Sequence, residues 1–280
     1  MAKWPLGVFA SIDAGLGVQL SVVEELGVPT IQLHAPAKES RTADNAAKFL
    51  AKLESIGVTL TCVFGGFEGE SYADIPTTKE TVGLVPPATR AERLAEMKEI
   101  ADFARVLDCD VVGLHVGFIP HDKTDPMFGE VVAVTQELCD HCQGNEQYLH
   151  LETGQESAEG LLGFIAAVDR PNLRVNFDPA NMILYGTGNP IEALKAIGKH
   201  VGSVHCKDAK WSDQPGVTWG TEMPLGQGDV GMEEFLRTVK EIGYTGPLTI
   251  EREIPQEPER QKAEIGAALE LLTALRTKIG

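Results

Sequence analysis

The sequence predicts a single-domain (β/α)₈ TIM barrel of the α/β class over residues 1–280. Three observations lead to it. Short apolar runs alternate with longer amphipathic segments eight times. The connections between the apolar runs are too long for hairpins, so the strands are expected to be parallel and joined by crossovers. No Ser/Gly/Pro-rich linker divides a chain whose length suits one such barrel. A doubly wound open sheet would put a glycine-rich fingerprint after its first strand, and "FASIDAG" is not one.

The elements follow in order. "PLGVFA" (5–10) is the first strand, and the helix after it carries Leu16, Leu20, Val23 and Leu26 on one face before Gly27 ends it. "TIQLH" (30–34) is the second strand, and a helix over 43–56 leads to "GVTLTCVF" (57–64). Gly65 to Pro87 is rich in Gly, Thr and Pro and reads as an active-site loop. Leu94, Met97, Ile100, Ala104 and Leu107 then mark an amphipathic helix before "VVGLHV" (111–116). Helices near 127–142 and 157–168 precede "YLHLE" (148–152) and "LRVNFD" (173–178). "IEALKAIG" (191–198) precedes "VGSVHC" (201–206), and a helix over about 231–242 delivers "PLTIE" (247–251). The last helix carries Ile265, Leu269, Leu272 and Leu275.

Composition narrows the partners. With 24 Lys and Arg against 41 Asp and Glu, the formal charge of −17 opposes nucleic acid and anionic membranes. No apolar run is long enough for a bilayer, and "MAKWPLGVFASIDAG" has neither an adequate apolar stretch nor a small-residue cleavage site, so a soluble, unprocessed, cytoplasmic protein is expected. Five scattered cysteines do not make a disulfide framework and fit a reducing compartment. Cys139 and Cys142 form a Cys-x-x-Cys with no second pair, which reads as helix packing.

The chemistry is expected at the C-terminal strand ends, because all eight open onto one face. Their last polar residues are His34, His115, Glu152, Asp178, His205 and Glu251. Asp178 alone could be a helix cap, since Pro179 follows it directly. The last four, however, come from consecutive strands, which would gather them around one point. Three acids and an imidazole there would repel and resist desolvation unless a cation or shared protons intervene. That donor set suits Mn²⁺, Co²⁺ or Mg²⁺ better than a closed structural zinc site, with Zn²⁺ as a further option.

Through "HLETG", "NFDPAN", "SVHCKD" and "TIERE" the chain resembles the xylose isomerase-like barrels, which include sugar isomerases, ketose 3-epimerases, inosose dehydratases and endonuclease IV. The resemblance implies that Glu152, Asp178, His205 and Glu251 are the metal ligands, with Glu152 and Glu251 also the acid and base. It implies a sugar isomerase or epimerase that removes a proton next to a carbonyl through a metal-stabilised enediolate. A lyase acting on a keto-sugar or inosose is the alternative, and a sugar-binding subunit without catalysis is the non-enzymatic one. His34, His115, Asn181, Lys207 and Asp208 are expected around the substrate, a small sugar or keto-sugar. No nucleic-acid or membrane partner is expected, and a homodimer or homotetramer is left open.

The chain also departs from the family pattern. Asn181 stands where endonuclease IV and the ketose 3-epimerases have a histidine, and Asp229, Val230 and Gly231 replace the Asp-x-His of the nuclease. Lys207, Asp208 and Lys210 follow His205 where the epimerases place an arginine. DNA repair is therefore disfavoured. "GQGD" (226–229) reads as a structural turn, since Asp229 would oppose a phosphate. Trp211, Trp219, Phe64 and Phe67 are candidates to stack on a sugar.

Overall fold

All eight predicted strands form in the computed structural model, which describes residues 4–12 and 17–280. They are β1 (Leu6–Ser11), β2 (Thr30–His34), β3 (Thr59–Gly65), β4 (Val111–Leu114), β5 (Tyr148–Glu152), β6 (Leu173–Phe177), β7 (Val201–Cys206) and β8 (Leu248–Ile250). Each pairs in parallel with the next, and β8 pairs with β1 through Leu6–Leu248 and Val8–Ile250, so the sheet closes. The helices are α1 (Leu20–Leu26), α2 (Ala43–Ile56), α3 (Ile75–Thr81), α4 (Arg90–Val106), α5 (Pro126–Gly144), α6 (Ala158–Val168), α7 (Pro179–Tyr185), α8 (Pro190–Ile197), α9 (Met232–Glu241) and α10 (Pro258–Ile279). The result is a single-domain TIM barrel. Leu16, assigned from sequence to the first helix, lies outside the described residues.

Strand alternation divides the side chains into two populations. On β5, Leu149 and Leu151 join the main core between sheet and helices, while His150 and Glu152 point to the barrel interior. The same alternation puts Val175 and Phe177 outward on β6 and leaves Asn176 inward, with Ser203 and His205 inward on β7. On β8 and directly after it, Thr249 and Glu251 take the inward positions. Two stacked polar rows result: His150, Asn176, Ser203 and Thr249 lie one step below Glu152, Asp178, His205 and Glu251. All eight are buried.

Besides a two-residue strand, Val18–Gln19, that pairs with β1 ahead of α1, three elements were not anticipated. Within the Gly65–Pro87 loop Asp74 caps α3 by accepting the Thr77 amide at 2.7 Å; the loop's many Thr residues hide that turn from a periodicity search. Asp178 and Pro179 together start α7, an acidic N-cap followed by Pro at the first helical position. After β7, Asp208–Lys210 pairs antiparallel with Thr221–Met223 as a short hairpin. All five cysteines are free and buried, Cys139 and Cys142 within α5. No helix among the described residues is long and apolar enough to cross a membrane.

The Gly65–Pro87 loop is pinned from below. Arg93 on α4 is buried and donates to the carbonyls of Thr81 (2.6 Å) and Gly83 (2.8 Å), while the Leu84 amide donates to Val116 O at 2.9 Å. Gly83 has φ +74°, and a Cβ there would stand 2.2 Å from the backbone carbon of Val116. Gly83→Ala is therefore expected to cost roughly 2–4 kcal/mol, combining left-handed strain with a backbone clash. Thermal unfolding checks this: a Tm equal to the wild type would show that the loop is not seated on Val116.

Candidate metal centre

The four strand-end residues singled out in the sequence meet. One donor atom from each of Glu152, Asp178, His205 and Glu251 lies within 4.8 Å of all the others, and all four residues are buried. Nδ1 of His205 is the centre of the group, 2.6 Å from Glu152 Oε1, 2.6 Å from Glu251 Oε2 and 3.5 Å from Asp178 Oδ2. One ring nitrogen can donate a single proton, so it cannot satisfy three carboxylates. Asp178 Oδ2 and Glu251 Oε2 indeed accept no hydrogen bond although both are shielded from water. Convergent, underpaired carboxylate oxygens around an imidazole are the donor set of a divalent oxygen-seeking cation, and the residues fit one.

Asp178 is both a cap and a site residue. Its Oδ1 accepts the Asn181 amide at 2.9 Å and starts α7, while its Oδ2 turns to the cluster. Its amide is held by Thr153 Oγ1 at 2.8 Å, and Thr153 hydroxyl donates to its carbonyl at 2.9 Å. The carboxylate therefore has little freedom to swing away.

The lower polar row orients the upper one. Nε2 of His205 lies 2.8 Å from Oε1 of Gln32, an acceptor, so the Nε2 proton goes there and the Nδ1 lone pair can face a cation. Gln32 Nε2 donates to Asn176 Oδ1 (3.3 Å), and Asn176 Nδ2 donates to Glu152 Oε1 (3.3 Å). Ser203 spends its one proton on Asn176 Oδ1 (2.5 Å) and so accepts from His150 Nδ1 (2.8 Å). Burial, with Arg174 nearby, lowers His150 to about 3 and keeps it neutral in that role. Gln32 and Asn176 each sit at a register shift, after Ile31 in the β2–β3 ladder and after Val175 in the β6–β7 ladder. Such irregularities re-aim side chains next to sites.

Charge inside the cluster is strongly coupled. Burial alone would lower His205, but Glu251 and Glu152 hold it well above its ordinary range. Burial raises Asp178. Against the same burial, His115 holds Glu152 below its ordinary value, and Lys207 followed by His205 does so for Glu251. His115 Nε2 contacts Glu152 Oε2, and Gln155 Nε2 lies 2.8 Å from the other ring nitrogen. Burial would lower His115 as well, yet Glu152 pushes it up to about 9.

Above the tetrad lies a cavity of about 280 Å³. His34, His115 and Asn181 line it as the sequence placed them, together with Phe64 and Trp219. Lys207 does not: it is buried behind Glu251, with Nζ 3.4 Å from Glu251 Oε1 and 2.9 Å from Glu253 Oε1. Asp208 does not line it either, because its carboxylate accepts the amides of Ala209, Gly226, Gly228 and Val230 and is turned into the backbone. Trp211 and Phe67 stay off the wall; Phe67 packs under the Arg93 guanidinium at 5.4 Å. Sequence reasoning missed Phe9, Glu70, Tyr72, Tyr185, Glu222 and Glu253. Of these Glu253 carried a signal, since it stands two residues past Glu251 and alternation returns it to the same side.

Comparison with known proteins agrees with this fold. Residues 20–275 match the xylose isomerase-like TIM barrel family. The crystal structure of a xylose isomerase domain protein from Planctomyces limnophilus superposes with a TM-score of 0.97 at 59% identity, covering 99% of each chain. The L-ribulose-5-phosphate 3-epimerase UlaE of Escherichia coli is 31% identical over 207 residues, 71% of this chain and 69% of its own. A xylose isomerase-like TIM barrel protein from Mycobacterium smegmatis, solved in complex with magnesium, shares the fold at a TM-score of 0.70 and 18% identity, over 98% of each chain.

Protein purified without chelator is expected to carry about one equivalent of divalent ion per chain. Asp178→Ala should remove it. Gln32→Leu touches no donor atom but releases Nε2 of His205, and should weaken the ion roughly 10- to 100-fold in titration calorimetry. Wild-type protein that takes up no Mn²⁺, Co²⁺ or Mg²⁺ would refute the assignment.

Proposed function

This chain belongs to the xylose isomerase-like TIM barrel family, and we propose that it is a divalent-metal-dependent sugar epimerase or isomerase in which Glu152 and Glu251 move the proton. The observation that carries the reading is the placement of these two carboxylates. They come from β5 and from the end of β8, and each brings an oxygen to 2.6 Å from the same atom, Nδ1 of His205. Arriving from strands three steps apart around the barrel, they can address two faces of a substrate carbon held over that point.

Glu152, Asp178, His205 and Glu251 would hold the ion. When bound, it supplies Lewis acidity toward a carbonyl and its neighbouring hydroxyl. One glutamate takes the proton from the carbon next to the carbonyl, and the other gives one back. Delivery to the opposite face epimerises that carbon; delivery to the adjacent carbon isomerises the sugar. The two acids are not equivalent, because Glu152 leans on the His115 imidazole and Glu251 on the Lys207 ammonium. His34 and Asn181 on the wall offer hydrogen bonds to substrate hydroxyls, and Phe9, Phe64, Tyr185 and Trp219 offer apolar faces for the C–H side of a ring and exclude water. The name of the Escherichia coli relative, a 3-epimerase of a ketose phosphate, supports the same class of proton transfer.

The test is solvent exchange. Mn²⁺-loaded protein incubated with ketoses, aldoses and keto-glycosides in D₂O is expected to place deuterium next to a carbonyl with the carbon and oxygen count intact. Glu152→Gln and Glu251→Gln should each lower that exchange by roughly 10²–10⁴, with circular dichroism confirming the fold and metal content measured alongside. An unsaturated product would instead make the protein a lyase on a keto-sugar. Sugar binding with no exchange and no turnover would make it a binding subunit.

A further inference from the structure

We infer that the cavity takes an uncharged, non-phosphorylated sugar or keto-sugar and discriminates against sugar phosphates. This deepens the proposed function and rests on it. Five carboxylates line the cavity, Glu70, Glu152, Glu222, Glu251 and Glu253, while no lysine or arginine does so among the described residues. Glu70 is spent on backbone amides, but the other four acids still exceed the two positive charges of a divalent ion. The nearby cations are already engaged. Lys207 Nζ lies between Glu253 and Glu251, and Arg252 spans Glu222 (3.0 Å) and Glu264 (2.8 Å).

Among the described residues, the backbone amides of two glycine-rich turns near the barrel mouth offer no substitute. In barrels of this kind a phosphate commonly sits in the loops after the last two strands, held by N–H groups. Here the glycine-rich turn after β7 is filled by the protein's own anion: Asp208 Oδ2 accepts the Gly226 and Gly228 amides at 2.9 and 3.0 Å, and Oδ1 accepts Val230 at 3.2 Å. The fit is so close that a Cβ on Gly228 would meet Asp208 Oδ1 at 2.2 Å. The second glycine-rich turn, Gly65–Gly66–Phe67, is closed in the same way. Glu70 accepts the Phe67 amide at 3.1 Å and the Gly83 amide at 2.7 Å. Among the described residues, these two turns are thus occupied internally.

What the wall does present suits a neutral polyol. Glu222 and Glu253 can accept from hydroxyls, and Trp219, which lines the cavity beside Tyr185 with ring centres 4.5 Å apart, keeps a buried Nε1 with no hydrogen-bond partner. An indole N–H can donate to a hydroxyl or ether oxygen but adds no charge. A phosphate dianion beside Glu222 and Glu253 would face carboxylates with no lysine or arginine on the wall among the described residues.

The experiment pairs each sugar with its phosphate: D-fructose with D-fructose 6-phosphate, and D- and L-ribulose with their 5-phosphates, on Mn²⁺-loaded protein in D₂O. The free sugar of a reacting pair is expected to have kcat/KM at least about 100-fold above its phosphate. Glu222→Gln combined with Glu253→Gln should narrow that ratio about tenfold or more. A phosphate that exchanges as fast as its free sugar, or a ratio unmoved in a folded double variant, overturns the inference and leaves the reaction class standing. No exchange on any member counts against the proposed function instead. Independently of any sugar, 5 mM inorganic phosphate should leave the Tm of metal-free protein where an equal ionic strength of chloride leaves it; a phosphate-specific rise overturns the inference.

Discussion

Three buried carboxylates converging on one imidazole nitrogen is the constraint from which most of this barrel follows. Such a group is repelled internally and poorly solvated, so every neighbour that can donate a proton or bring positive charge is drawn toward it. That accounts for Lys207, fully buried yet charged against Glu251 and Glu253. It accounts for His115 pressed on Glu152. It also explains why the row beneath, which in an ordinary barrel would be branched aliphatics, is here His150, Asn176 and Ser203 with Gln32 alongside. Aliphatic side chains there would leave His205 free to rotate and Glu152 without its amide partner.

The two register shifts belong to the same logic. A strictly regular ladder would aim Gln32 and Asn176 by the pleat alone. Displacing the pairing by a residue at Ile31/Gln32 and at Val175/Asn176 lets two side chains from opposite sides of the barrel meet at 3.3 Å. Ladder regularity is given up where side-chain aim matters most. The strands around these points remain packed outward by Ile31, Leu33, Val175 and Phe177, so the irregularity is confined to the interior face.

How far the sequence could be read depended on which elements carry a period. Strands and long helices do, and Thr30–His34, Ala43–Ile56, Tyr148–Glu152 and Val201–Cys206 fall where the pattern puts them. The four convergent residues were legible because each ends a strand of known face. The wall opposite them was not. Glu70 and Tyr72 come from a loop, Tyr185 from the one-helix insertion after Asp178, and Trp219 and Glu222 from the hairpin region, none with a repeat to fix its direction. Lys207 and Asp208 show the opposite failure. Proximity to a strand end suggested substrate contact, but the direction of each side chain was set by a partner far along the chain, Glu253 for one and the 226–230 turn for the other.

The carboxylates of this acidic chain can be sorted by what they receive. Asp208 takes four backbone amides and Glu70 two, and both act as internal anions that shape turns. Glu222 is bound by Arg252 and by the Glu253 amide, so it is held at the cavity edge with its charge partly answered. Among the described residues, only in the tetrad are buried carboxylate oxygens left with no donor, at Asp178 Oδ2 and Glu251 Oε2. Unmet acceptors in a dry interior are costly enough that a fold keeps them only where something else supplies the charge. The deficit in hydrogen bonds, more than the count of acids, is what separates the candidate metal centre from the structural anions around it.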